Sequence, residues 1–165
     1  MILPLATTDN PVLRRMADPI KKFDDPVLQK LIDDMIPTMY ERDGIGLAAP
    51  QINHSLQLAV IVPDPTRFQD FKGKKEEAIV IINPRIETHS LRKESQEEGC
   101  LSVPKYFGPV KRWKSVMVSF HDRHGEKHTM KSSGLLAKVF QHEIDHLNGI
   151  LFIDKSPRIY KVTTL

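Results

Sequence analysis

The residues best suited to chemistry stand near the carboxyl end, as His142-Glu143-Ile144-Asp145-His146. Residues four apart on a helix lie on one face, so both imidazoles can reach a single ion. Glu143, beside one ligand, can take a proton from water on that ion, which is the mechanical content of an HExxH motif. The plainer alternative is two surface histidines flanking a solvated acid. Placement on an amphipathic helix favours the metal. A catalytic site also needs a third protein ligand and an open position. A metzincin arrangement fails, because the sixth residue after His146 is Phe152. A thermolysin-like arrangement needs a downstream glutamate, and none follows His146. The third ligand is then Asp154 or an upstream residue. The one cysteine, Cys100, lies upstream in Glu97-Glu98-Gly99-Cys100-Leu101-Ser102-Val103-Pro104. A lone cysteine is commonly a small buried hydrophobe. Here flanking Gly99 and Pro104 place it at a loop or strand end.

The motif needs a helix to carry it. Leu135, Leu136, Val139, Phe140, Ile144 and Leu147 recur at helical spacing, with Ser133 as N-cap and Gly149 as the left-handed residue past the end. A first helix starts at Asp25-Pro26, with Asp25 as N-cap and Pro26 at the first helical position. Its apolar residues run from Val27 and Leu28 to Met39, with Pro37 as a kink or a missing hydrogen bond, and it ends before Asp43-Gly44. Residues 1–25, broken by prolines, read as an irregular arm. Strands are expected over 56–62, over 78–82 with a stop at Asn83-Pro84, over 86–95, and over 115–120. The last enters a hairpin at 122–126 that returns through 127–130. Residues 63–75 read as a charged surface loop. The expected class is α+β, with short antiparallel strands around a central helix that carries HExxH.

Composition narrows the remaining choices. A chain of 165 residues fits one domain, 1–165. One cysteine forbids an intrachain disulfide and excludes a disulfide-stapled secreted scaffold. The amino terminus has no basic region followed by an apolar run, so no secretory signal is read there. No apolar stretch approaches the ~18 residues that span a bilayer. The expected place is therefore the reducing cytoplasm, where Cys100 stays a thiol or a metal thiolate. The 24 Lys+Arg against 21 Asp+Glu leave +3, which calls for no nucleic-acid partner and no membrane.

Three segments then occur in order: Gly44-Ile45-Gly46-Leu47-Ala48-Ala49-Pro50-Gln51, Glu98-Gly99-Cys100-Leu101-Ser102, and Gln141-His142-Glu143-Ile144-Asp145-His146-Leu147. Together they closely resemble the three signature motifs of bacterial-type peptide deformylases. The resemblance covers most of the chain, from the first helix through Asp154. It implies a hydrolase that removes the N-formyl group from the initiator methionine of nascent polypeptides and releases formate. It implies one divalent ion per chain on Cys100, His142 and His146, natively Fe²⁺, with Zn²⁺ or Ni²⁺ as substitutes. Glu143 is implied as the general base and later acid, and the Gln51 amide with the Leu101 backbone N–H as oxyanion donors.

Helical spacing places Leu135 and Val139 on the face of His142, and with Ile45 they are candidates for the methionine pocket. Backbone groups of Gly46 and Gly99 are candidates to pair with an extended substrate. Asn53 stands where the family commonly has glycine, and asparagine tolerates the left-handed region. Lys138 falls on the ligand face, where relatives are more apolar, and is expected to snorkel outward or narrow the pocket. The short Ser156–Leu165 tail leaves no room for the long helix that many bacterial relatives use to dock on the ribosome. The competing enzyme reading is an HExxH endopeptidase, in which Cys100 is dispensable. The other competitor is a non-catalytic binding relative, for which a base and an oxyanion donor have no use.

Overall fold

The computed structural model describes residues 1–74 and 77–163. The amino-terminal arm holds one 3-10 turn, Pro11–Arg14, and leads into α1 (Pro26–Glu41). The Asp25 side chain accepts the Val27 N–H at 2.9 Å, and Pro26 opens the helix, as the sequence requires. Leu28, Leu31, Ile32, Met35, Ile36 and Met39 are buried, whereas Val27 in the first turn stays exposed. Pro37 lies inside the helix, which continues to Glu41.

Beyond α1 follow β1 (Gly46–Ala48), a 3-10 turn at Ala49–Ile52, β2 (Leu58–Ile61), α2 (Phe68–Phe71), β3 (Ile79–His89), β4 (Lys93–Cys100), β5 (Val103–Trp113), β6 (Ser115–His121) and β7 (Lys127–Ser133). The chain then forms α3 (Gly134–Leu147), α4 (Phe152–Lys155) and β8 (Tyr160–Lys161). One antiparallel sheet has the order β1-β2-β3-β6-β7, and a second has β4-β5-β8. α1 and α3 cover opposite faces of the first sheet. Leu58 and Val60 join the cluster under α1, and Ala59 and Ile61 join the cluster under α3. A strand covered on both faces needs apolar residues at every position, which is why Leu58-Ala59-Val60-Ile61 does not alternate. α3 also contacts β5, so the HExxH helix sits between the two sheets.

Several expectations need correction. The loop over 63–75 holds a 3-10 turn at Pro65–Arg67 and then α2, because Asp64 caps Thr66 N–H at 3.1 Å and Phe68 and Phe71 pack on the α1 cluster. Lys75 lies outside the described residues. Asn83-Pro84 does not stop its strand. Asn83 takes φ 49° at a bulge, its side chain bonds both backbone groups of Ile20, and β3 runs on to His89. The strand expected over 86–95 is therefore the end of β3, a turn and the start of β4. β5 over Val103–Trp113 is not among the expected strands; β4 and β8 pair with its two edges. Ser133 is at the N-cap position of α3, but its side chain makes no capping bond. Gly149 (φ 74°) and Asn53 (φ 64°) take the expected left-handed conformations. No helix of the described residues is long and apolar enough to cross a membrane.

Candidate metal centre and active site

Two local structures bring the candidate ligands together. β4 ends at Cys100, where a bulge after Gly99 breaks its ladder with β5. α3 presents His142 and His146 one turn apart. The Cys100 Sγ lies 3.3 Å from His146 Nε2, which lies 3.2 Å from His142 Nε2. One donor atom from each residue falls within 4.8 Å of the others. Tetrahedral ligation at about 2.0–2.3 Å sets neighbouring donors about 3.3–3.6 Å apart, so this soft-plus-imidazole set fits a borderline divalent ion. Asp154 is not part of it. It accepts the Leu151 N–H at 2.8 Å and pairs with Arg14 at 2.5 Å.

The candidate ligands are held by a charged chain that reading the sequence did not single out. Glu98 on β4 takes Arg112 of β5 in a bidentate pair at 2.8 and 2.9 Å. The same carboxylate bonds His142 Nδ1 at 2.9 Å, which turns Nε2 toward Cys100. Arg112 is 2% exposed and also pairs with Asp145, whose other contact is Lys155. One guanidinium thus joins the strand that ends in Cys100 to the helix that carries both histidines. The only sequence signal for this was the acid-rich Glu97-Glu98 and the Asp inside the helix motif. Gln141 adds a second clamp, with its amide bonding both backbone groups of Trp113 at 2.9 Å.

Burial alone would raise Glu98, but Arg112 and His142 outweigh it and hold the carboxyl at about 2. Burial also opposes charge on His142. The Cys100 sulfur, Glu98 and Glu143 overcome it and raise that imidazole well above its ordinary range. Burial, followed by the charges on His142 and Arg112, pushes His146 well below its range and keeps it a neutral donor.

Glu143 is 3% exposed, and its Oε2 has no protein partner. Burial pushes its carboxyl up to about 7, with His142 and Arg112 pulling against Glu98. It lies against β1 at Gly46, where a Cβ would stand 2.3 Å from Glu143 Oε1. Only glycine allows that approach. Gln51 follows β1 in the turn. Its Oε1 accepts the Ala48 N–H at 2.9 Å, which aims Nε2 at Cys100 Sγ and Ser102 Oγ, each 3.4 Å away. The amide donor therefore faces the ligand cluster rather than solvent.

A cavity of about 590 Å³ opens over this cluster. Ile45, Gly46, Gly99, Leu101, Leu135 and Val139 all line it, as do Gln51, His142 and Glu143. Lys138 lines it too. Its stem is buried and its ammonium reaches Glu94 at 3.3 Å, so it snorkels out of the ligand face. β1 and β4 are edge strands of their sheets and both border the cavity.

The Polypeptide deformylase family profile matches residues 2–162. A peptide deformylase of Syntrophobacter fumaroxidans is 46% identical over 156 residues, covering 93% of this chain and 86% of its own. A crystal structure of a peptide deformylase from Legionella pneumophila superposes with TM-score 0.85 at 45% identity, covering 95% of this chain and 88% of that one. A Met-Ala-Ser-bound class I type b peptide deformylase from Acinetobacter baumannii gives TM-score 0.83 at 37% identity, covering 94% and 98%. With its motifs, its fold and its gathered ligand set, the chain belongs to the polypeptide deformylase family.

Proposed function

We propose that this protein hydrolyses the N-formyl group from the formylmethionine that begins nascent polypeptides, as a single catalytic domain in the cytoplasm. The observation that carries the reading is the convergence of Cys100, His142 and His146 beneath a cavity that Glu143 and Gln51 also border. These three residues would hold one divalent ion, Fe²⁺ in the native enzyme, and Zn²⁺ or Ni²⁺ can substitute. Such an ion supplies Lewis acidity, making water a nucleophile near neutral pH.

The protein's own groups do the rest. Glu143 takes a proton from the attacking water as its oxygen bonds the formyl carbon. Glu143 then gives that proton to the amine nitrogen as the C–N bond breaks, and formate and a free amine leave. A carboxyl poised near neutrality serves both steps. Negative charge develops on the formyl oxygen, where the Gln51 Nε2 and the Leu101 N–H donate. The peptide lies extended between the edges of β1 and β4, pairing with backbone groups of Gly46 and Gly99. Ile45, Leu135 and Val139 hold the methionine side chain. The Acinetobacter relative with Met-Ala-Ser bound supports a site for a short peptide that begins with methionine.

The family assignment disfavours the general endopeptidase. The Fe²⁺-loaded protein is tested with formyl-Met-Ala-Ser, acetyl-Met-Ala-Ser and an unmodified internal peptide, with products followed by mass spectrometry. Formate release from the first alone is expected. Cleavage of the internal peptide, or no formate, overturns the proposal.

A further inference from the structure

The net charge of +3 hides an uneven distribution. A second groove, of about 810 Å³, lies where the β4–β5 ribbon meets the segment after α4. Lys93, Ser95, Lys111, Lys155 and Arg158 line it with two prolines, and no carboxylate does. None of these residues borders the active-site cavity.

The cations are set in place by the fold. Lys93 pairs across the ribbon with Trp113, and Ser95 with Lys111. Directly opposed residues share a face, so these pairs form successive rungs on one face, roughly 7 Å apart. The tail holds Arg158 over the ribbon. Its carbonyl accepts the Ser156 hydroxyl at 2.6 Å, and β8 pairs with β5 just beyond. Gly108 permits this crossing, because a Cβ there would stand 2.4 Å from the Arg158 carbonyl. Lys155 is engaged by Asp145 at 2.9 Å. Among the described residues Lys93, Lys111 and Arg158 have no carboxylate partner within ion-pair distance. At one end of the row the Lys93 ammonium lies 5.1 Å over the Trp113 ring, which stacks on the exposed His89 at 3.8 Å.

We propose that this groove binds single-stranded nucleic acid, its phosphates on Lys93, Lys111 and Arg158 and a base against the His89–Trp113 stack. Cations in a row beside an aromatic platform are what sequence-tolerant single-strand binding requires. An acidic protein segment would use the cations and leave the stack idle, so the nucleic acid accounts for both features.

The test titrates a fluorescein-labelled twelve-residue oligouridylate with the metal-loaded full chain, by anisotropy, over a series of salt concentrations. Three or four neutralised phosphates predict a log–log salt slope of roughly −2 to −3. Lys111→Glu with Arg158→Glu should weaken binding at least tenfold while formyl-peptide hydrolysis stays unchanged. Lys111→Gln with Arg158→Gln repeats the measurement with a smaller perturbation. His89→Ala should weaken the oligonucleotide and leave oligoglutamate of equal length unaffected. Salt-independent binding, or wild-type affinity in both double variants, overturns the proposal. So does oligoglutamate binding as tightly as oligouridylate with His89→Ala without effect, which would assign the groove to an acidic protein.

Discussion

Among the described residues two places gather three groups able to hold a metal, and they differ in almost everything else. Cys100, His142 and His146 come from two elements, a strand end and a helix, and are largely enclosed. Asp122, Glu126 and His128 come from the β6–β7 hairpin and are more open, with Glu126 exposed and the other two half-buried. In the first cluster the donor atoms point at one another, and Glu98 holds His142 from behind. In the second, Asp122 is already occupied. One oxygen accepts the His124 and Glu126 N–H groups at 2.8 and 3.0 Å, and the other meets His128 at 2.7 Å. The difference teaches that converging donors make a metal centre only when something else orients them and leaves their lone pairs free. In the hairpin, side chains that could also ligate a metal close a turn instead.

The largest effect should come from the base of the first cluster. Glu143→Gln keeps the ligands and removes the proton acceptor, so formate release should fall by roughly 10³-fold at unchanged metal content. A variant that keeps more than about a tenth of the activity would separate chemistry from this carboxylate. Next is Arg112→Met, which removes the buried guanidinium from both carboxylates and leaves Glu98 with only His142 and Asp145 with only Lys155. Urea unfolding should show a loss of about 3–5 kcal/mol, and metal affinity should drop about 10–100-fold. An unchanged unfolding midpoint would mean that the orienting chain is ornamental.

The acid limb of stability sharpens the same contrast. The Glu98 carboxyl falls from 4.5 to about 2 on folding. A carboxyl depressed in the folded state stabilises it fully above the unfolded value, and the benefit is lost as pH drops through the folded one. Between about pH 4.5 and pH 2 the wild type should therefore lose roughly 3 kcal/mol that Glu98→Gln never had. Parallel acid unfolding curves for the two proteins would contradict this. The smallest effect belongs to the hairpin. Asp122→Asn should cost under about 1 kcal/mol and leave both activity and one bound ion per chain intact. A second ion that disappears in this variant would erase the distinction between the clusters.

Local spacing in the sequence carried His142, Glu143 and His146 on one helix face and the Asp25 cap of α1, whereas Cys100 entered only through the family resemblance. The helix-borne residues and the cap depend on neighbours close together in the chain. The α+β class was legible for the same reason. What stayed hidden was set by distant partners. The β5 strand exists because β4 and the tail pair with its two edges, despite Gly108 and Pro109 in its own sequence. The bulge at Asn83 depends on Ile20, 63 residues away. Arg112, the residue on which the ligand geometry converges, looks like any surface arginine until β5 is placed against α3. A whole-chain charge sum likewise cannot show that Lys93, Lys111 and Arg158 line one groove.

The central claim is that Cys100 completes the metal centre with His142 and His146. It is tested most directly by measuring bound metal and formate release together in the wild type and in Cys100→Ser. The wild type should hold one divalent ion per chain and release formate from formyl-Met-Ala peptide, with activity lost to a chelator and restored by Fe²⁺. Cys100→Ser should lose both the ion and the activity. A Cys100→Ser protein that keeps its metal and its rate would contradict the account.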